Sequence, residues 1–196
     1  MQSGNRPYLS LAVGVFTLLL SFACEKQQNG IVTPNALGNL ISNSSFEQGD
    51  SASLYGWHRL IPPSIPESLA IKFLGDTPPG GGEFSVAVKN DWANDAGVYT
   101  YIPLPEGRHI YEFSVWAKFD TTDWGPAWIR YYVRDVSGYW NSTSIAVQDT
   151  VWTQYTLRDT LDSSETDIAL IYLRGSPYQF TRNYTLYDLC TFTVVQ

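Results

Sequence analysis

Cysteine, histidine, methionine and basic residues are all scarce in this chain of 196 residues, which holds two cysteines, two histidines and one methionine. Two cysteines are too few for a disulfide framework, and His58 and His109 stand alone, without the spacing of a metal site. Twelve Lys and Arg against nineteen Asp and Glu give a net charge of −7, and no basic run occurs. Nucleic acid is therefore a poor partner.

Helical periodicity and catalytic motifs are scarce as well. No nucleophile elbow, P-loop or dinucleotide-binding motif occurs in its required strand–turn–helix context, and Gly80–Gly82 lies in a Pro-Gly turn. A glycoside hydrolase needs two carboxylates that face each other across a cleft. Because no pattern in the sequence singles out such a pair, we predict that the chain is not an enzyme.

The start of the chain resembles a bacterial lipoprotein signal peptide over residues 1–23. Arg6 precedes a mostly apolar stretch that is too short to span a bilayer comfortably, and small residues precede Cys24. The resemblance implies a lipid on Cys24, with residues 24–37 as a polar tether. Ser21 stands where leucine is usual, so an ordinary cleaved signal peptide is the alternative.

A lipid anchor would place the protein in a bacterial cell envelope. The expected location is the outer membrane, facing the periplasm or the cell exterior. With Cys24 acylated, Cys190 has no partner for a disulfide. Alternation places Cys190 on the same strand face as Phe192, which predicts a buried free thiol.

The body of the chain, residues 38–196, alternates between apolar and polar residues with a period of two. Besides a short apolar strand after Asn39, strands are predicted at 56–60, 69–74, 84–89, 98–104, 111–119, 129–133, 143–148, 151–158, 167–173 and 184–195. Turn residues separate these segments every 8–15 residues. Such a series predicts an all-β fold, an antiparallel β-sandwich of two sheets in one domain.

A series of landmarks runs through this body. They are Asn39–Glu47, Gly56-Trp57, Pro78–Val86, Ile110–Lys118, Trp152–Tyr155 and Leu186–Phe192. In order and spacing the chain resembles the jelly-roll carbohydrate-binding modules of families four, nine, sixteen and twenty-two, within the galactose-binding-like superfamily. The resemblance covers residues 38–195. It implies a jelly roll that binds an oligo- or polysaccharide without cleaving it.

The same resemblance implies a structural calcium ion held by Glu47 and Asp188. Calcium takes six to eight oxygen ligands, many of them backbone carbonyls, and the Gly75–Glu83 loop is a candidate source. The sequence departs from the family's pattern at Leu189, where an acidic or amide residue is common. The alternative is that both carboxylates cap turns through backbone N–H groups.

Aromatic residues make up 15% of the chain, including seven Trp, and some must be exposed. Aromatic rings stack on the apolar faces of sugars, and planar polar groups bind their hydroxyls. We predict ligand contacts from turn residues, namely Trp92, Trp124, Tyr139 and Trp140. Polar strand faces contribute a second set, which comprises Trp116, Trp128, Arg130, Tyr132 and Arg134.

The strand residues would form one aromatic–arginine face if the two strands that carry them are neighbours in a sheet. Two alternatives remain open. The arginines could pair with surface carboxylates, and the aromatics could pack against a partner protein in the envelope. Trp57 and Trp152 match the landmarks of the core and are predicted to be structural.

Overall fold

The computed structural model describes residues 38–89, 96–120, 127–134, 140–164, 167–175 and 184–195. The predicted signal peptide, Cys24 and the tether lie outside these ranges, as do Trp92, Trp124, Tyr139 and the side chain of Trp140. Within the described ranges, no helix has the length and apolar character needed to cross a membrane.

The described residues form twelve strands and one short helix. A strand lies in each of the ten segments predicted from residue 56 onward, whereas the first two strands and the helix were not predicted. The first elements are β1 (Glu47–Gln48), β2 (Ser51–Ala52), β3 (His58–Leu60), α1 (Glu67–Ala70), β4 (Ile71–Leu74), β5 (Ser85–Val88) and β6 (Gly97–Pro103). The others are β7 (Gly107–Phe119), β8 (Ala127–Arg134), β9 (Trp140–Val147), β10 (Thr153–Ser163), β11 (Ile168–Arg174) and β12 (Thr185–Val194).

Two antiparallel five-stranded sheets contain ten of these strands. Sheet I has the order β10-β7-β12-β5-β4, and sheet II has the order β3-β6-β11-β8-β9. Strands β1 and β2 form a separate small hairpin. The predicted two-sheet sandwich is therefore confirmed.

The core lies between the two sheets because alternate residues of each strand point inward. On β7 the predicted inward face, from Tyr111 to Phe119, is at most 5% exposed. Rings from both sheets meet there: Tyr131 of sheet II lies 5.7 Å from Phe192 of sheet I, measured between ring centroids. Each fully buried large side chain contributes about 1.5–3 kcal/mol by leaving water. Cys190 is also buried as a free thiol, as predicted.

The segment before β1 differs from the expected short strand. Residues 39–46 form bends and turns, although Ile41 and Phe46 enter the core and Trp57 packs against Phe46, 5.0 Å between ring centroids. Leu40, by contrast, is 39% exposed. The φ of Phe46 is +57°, which lies outside the strand region of the backbone.

This segment forms hydrogen bonds with β12 at a point where the pairing of β12 is irregular. The pairing of β12 with β7 shifts register between Asp188 and Thr191, as at a β-bulge. Cys190 then donates its N–H to the Ser44 carbonyl at 2.7 Å, and its own carbonyl accepts the Asn39 amide at 3.0 Å. The first described residues and the last strand are thereby joined.

Candidate functional site

The outer face of sheet II carries a group of aromatic and basic side chains. Alternation turns Val98, Ile129 and Ile171 into the core, so the residues that follow them on β6, β8 and β11 face outward. Antiparallel pairing then aligns the outward residues across the sheet: Tyr172 lies opposite Tyr99 on one side and Arg130 on the other. We call this surface the tyrosine face; its members are His58, Tyr99, Tyr101, Trp128, Arg130, Tyr132, Leu170 and Tyr172.

Ring contacts connect one half of the tyrosine face. His58 stacks on Tyr99, with centroids 5.1 Å apart and planes at 21°. Two other rings pack edge to face against Tyr99. The centroid of Tyr101 lies 5.5 Å from that of Tyr99, and the centroid of Tyr172 lies 6.1 Å from it. Such edge-to-face pairs hold one another's orientation. Because Tyr101 is 48% exposed and His58 is exposed too, the group presents ring surface to solvent.

Polar groups lie beside these rings. Arg130 donates a hydrogen bond from Nη1 to the Tyr132 hydroxyl at 3.0 Å, which orients the guanidinium. The buried hydroxyl of Tyr172 has no hydrogen-bond partner among the described residues. Burial, with a smaller effect from Tyr132, raises the pKa of Tyr172, so the phenol stays protonated and can donate. A buried hydroxyl of this kind is costly without a partner.

The structure brings together part of the predicted ligand set. Trp128, Arg130 and Tyr132 lie half-buried on the tyrosine face, and the exposed Arg134 ends the same strand on the same side. Trp140 begins β9 opposite Arg134 in the register.

Trp116 does not lie with the other predicted strand residues, because β7 and β8 belong to different sheets and are not neighbours. Trp116 occupies the outer face of sheet I, opposite Gln154 of β10 and Asp188 of β12. The chain crosses from one sheet to the other between β7 and β8, so the polar faces of these strands point in opposite directions. The condition for one shared aromatic–arginine face, that the two strands be neighbours in a sheet, is therefore not met.

Sequence reasoning missed five members of the tyrosine face: His58, Tyr99, Tyr101, Leu170 and Tyr172. A usable signal existed in Val98–Ile102, where Val98, Thr100 and Ile102 alternate with the two tyrosines. Tyr172 carried no such signal, because its strand is apolar at nearly every position. His58 follows the core residue Trp57, which is 7% exposed and donates from Nε1 to the Asn43 carbonyl at 2.8 Å.

The second predicted site, Glu47 and Asp188, forms a compact pair of carboxylates. Glu47 Oε1 accepts the Phe84 N–H at 2.6 Å, and Asp188 Oδ1 accepts the Leu189 N–H at 2.7 Å. Asp188 is fully buried, and its Oδ2 has no partner among the described residues. Burial, together with the nearby charge of Glu47, raises the pKa of Asp188 to about 8.

Glycines let the loop before β5 run against both carboxylates. A Cβ at Gly81 would lie 2.6 Å from Asp188 Oδ2, and one at Gly82 would overlap the carboxylate of Glu47. The residues next to the two acids, Phe46 and Leu189, have positive φ, which for such side chains is strained. Strain of this kind persists only where the surroundings enforce it.

The arrangement fits a calcium ion better than a softer metal. No group of three or more His, Cys, Asp or Glu side chains occurs among the described residues, so thiolate and imidazole sites are not formed there. Two carboxylates, one with an unpartnered buried oxygen, lie against a backbone loop that offers carbonyls, and hard oxygen donors are what calcium prefers. Turn capping alone would leave Asp188 Oδ2 without a partner.

No known family model matches the chain, and no curated protein matches it. Solved structures do share its fold. A family 61 carbohydrate-binding module in complex with β-1,4-galactotriose aligns over 80% of this chain and 98% of its own, with a TM-score of 0.54 at 17% identity. The C-terminal family 22 module of Clostridium thermocellum Xyn10B aligns over 82% and 97%, with a TM-score of 0.55 at 20% identity.

A third similar structure is the enzymatically active domain of tailspike protein 4 from bacteriophage CBA120. It aligns over 80% of this chain but only 21% of its own, with a TM-score of 0.59 at 14% identity. At these identities the likeness shows the fold. The chain therefore has the jelly-roll fold of carbohydrate-binding modules, as the resemblance in sequence implied.

Proposed function

We propose that this protein binds an oligo- or polysaccharide on the tyrosine face and does not cleave it. The observation that carries the proposal is the row from His58 through Tyr99 and Tyr172 to Arg130, which lines up ring faces, a hydroxyl and a guanidinium across four strands. Similar structures include a module solved with galactotriose and one described as xylan-binding. Both support a glycan as the ligand.

The chemistry follows from the side chains. Exposed rings such as Tyr101 can stack on the C–H face of a sugar, and Tyr99 would support it from the side. The Arg130 guanidinium can bind hydroxyls at the edges of the sugar ring. Because the rings already hold one another in place, little ordering entropy is lost when a ligand binds.

The absence of catalysis is part of the proposal. The five described strands of sheet II contain no Asp and no Glu, so they supply neither the general acid nor the nucleophile of a glycoside hydrolase. A bound glycan should be recovered intact. Release of reducing ends from any bound polysaccharide would contradict this part.

Binding can be tested with the purified full-length chain on a glycan array, followed by titration calorimetry. Trp128→Ala should weaken binding by about tenfold or more, since a buried aromatic contact often dominates affinity. Trp116→Ala is the matched control, because it removes the same side chain from the outer face of sheet I. Equal losses in both variants, or no binding to any glycan, would refute the proposal.

We propose further that calcium binds Glu47 and Asp188, with carbonyls of the Gly75–Glu83 loop completing its shell. The ion would neutralise two adjacent carboxylates and connect β1 to β12. It would lie apart from the tyrosine face, since Asp188 belongs to sheet I. We therefore propose that the ion would stabilise the fold and would not contact the glycan.

The location of the protein is also proposed, from the sequence before residue 38. A lipid on Cys24 would hold the domain at a bacterial envelope membrane, where it would capture or present a glycan. Incorporation of labelled palmitate in a bacterial host, lost in Cys24→Ala, tests the anchor. Unchanged labelling of the variant would contradict it.

A further inference from the structure

Charge is distributed unevenly between the two sheets. The whole chain carries a net charge of −7, with nineteen acidic residues. Yet the strands of sheet II contain four arginines and no Asp or Glu, whereas β7, β10 and β12 of sheet I all carry acidic residues. The described strands of sheet II thus carry only basic charges, although the protein as a whole is acidic.

Two of the four arginines have roles within the fold. Arg59 forms an ion pair with Glu67 at the start of α1. Arg174 is 5% exposed, and its guanidinium carbon lies 5.6 Å from the ring centroid of Tyr172, so it packs against that ring. Of the two others, Arg130 donates a hydrogen bond to Tyr132 on its own strand, and Arg134 is exposed at the end of that strand.

Arg130 and Arg134 point outward from β8, four residues apart. At about 3.3 Å per residue their Cα atoms are roughly 13 Å apart along the strand. Neither forms an ion pair with a described carboxylate. Arg130 is half-buried among tyrosines, where a charge is less screened by water than at the open surface.

Hydroxyls of a neutral sugar can accept hydrogen bonds from a guanidinium, but they leave its charge uncompensated. A carboxylate or sulfate matches the planar fork of arginine with two parallel hydrogen bonds and compensates the charge as well. A surface of one sign also raises the local concentration of an oppositely charged ligand. An acidic ligand would explain why the strands of sheet II, as far as the structure describes them, lack carboxylates.

We infer that the glycan bound on the tyrosine face is anionic, with acidic groups of separate sugar units over Arg130 and Arg134. This inference rests on the proposed glycan-binding function and adds the chemical class of the ligand. Uronic acid carboxylates and sulfate esters share the required chemistry. Both are anions whose oxygens can accept two parallel hydrogen bonds.

The test compares matched polymers by calorimetry with the full-length chain: galactan against polygalacturonate, xylan against glucuronoxylan, and dextran against dextran sulfate. The acidic member should bind more tightly, and its affinity should fall as salt rises from 50 to 500 mM because exposed charges are screened. Tighter binding of the acidic polymer in the first two pairs would identify a carboxylate as the bound anion. Tighter binding of dextran sulfate in the third pair would identify a sulfate.

Two variants test whether the arginines bind the acidic groups. We expect Arg130→Gln and Arg134→Gln each to weaken binding of the acidic polymer on the order of 10- to 100-fold. Arg134 lies at an exposed strand end, which should tolerate the change. Arg158→Gln, exposed on β10 of sheet I, makes the same change of charge elsewhere and should have no effect. Melting temperatures of all three variants check that they are folded.

Each outcome separates the inference from the function on which it rests. Equal affinity for neutral and acidic polymers, or equal losses in Arg134→Gln and Arg158→Gln, overturns the anionic ligand but leaves glycan binding standing. Failure to bind any polymer overturns both. Loss of acidic but not neutral binding in Arg134→Gln supports the inference.

Discussion

Replacing Asp188 by Asn should make the metal-free protein more stable at neutral pH. Asp188 is fully buried beside Glu47, and its Oδ2 has no partner among the described residues. In the absence of a cation, ionising this carboxyl group in the folded protein is costly. An amide of the same shape carries no charge, so the cost disappears.

The magnitude follows from the pKa. Burial first, and the charge of Glu47 after it, raise the pKa of Asp188 from 3.8 to about 8. A carboxyl whose pKa is higher in the folded state stabilises the fold when protonated, and that stability is lost as pH rises from 3.8 through 8. The loss is about 1.4 kcal/mol per pH unit, so between pH 5 and 7 it reaches about 2.7 kcal/mol. For a domain of this size that lowers the melting temperature by roughly 5–10 °C.

The assay is thermal and urea unfolding at pH 5, 6, 7 and 8, after removal of metal on a chelating resin. The free energy of unfolding is plotted against pH for both proteins. Subtracting the values for Asp188→Asn from those of the wild type removes the contribution of the other titrating residues. With calcium at a hundred times its dissociation constant, the wild type should gain about 2.7 kcal/mol and the variant should gain little. A wild type and variant with the same pH dependence, or with the same response to calcium, would refute the reasoning.

Two further changes probe the same end of the fold. Gly82→Ala should abolish the calcium-induced rise in melting temperature, because its Cβ would overlap the Glu47 carboxylate, whereas Gly75→Ala, whose Cβ is 3.8 Å from its nearest neighbour, should retain it. Asn39→Ala should lower the free energy of unfolding in urea by about 3 kcal/mol, because it leaves the buried Phe192 N–H and the Cys190 carbonyl unpaired. A loss below about 0.5 kcal/mol would show that the Asn39 contacts do not stabilise the fold.

Strand positions and their inward faces could be predicted from the sequence because both are local properties. A strand buried on one side needs an apolar residue at every second position, and that pattern is readable in one dimension. On β8, Ile129, Tyr131 and Val133 alternate with Arg130 and Tyr132, and the structure buries the first three. The prediction of a two-sheet sandwich needed no more than this.

Sheet membership could not be predicted in the same way, because it depends on long-range pairing. Trp116 and Trp128 both lie on outward faces, as predicted, but nothing within β7 or β8 records that they belong to different sheets. The neighbours of β7 are β10 and β12, which are distant in sequence. The sequence therefore could not show whether the two strands meet the condition for a single face, which is that they pair in one sheet.

The tyrosine face itself is assembled from four strands that no local motif connects. His58, Tyr99, Tyr172 and Arg130 come from widely separated strands and become a row only through antiparallel register. Tyr172 was hidden because β11 lies at the centre of sheet II and is apolar on both faces over much of its length. Its outward residues resemble core residues in sequence.

The two sheets divide the chemistry of the protein between them, and electrostatics gives a reason for the division. In the two proposed sites, Glu47 and Asp188 would bind a cation, whereas Arg130 and Arg134 would bind an anion. Had both groups shared one face, the arginines would have competed with the metal and the carboxylates would have repelled an acidic ligand. Placing the acids beside β12 of sheet I and the arginines on the outer face of sheet II lets a single small domain hold charges of both signs.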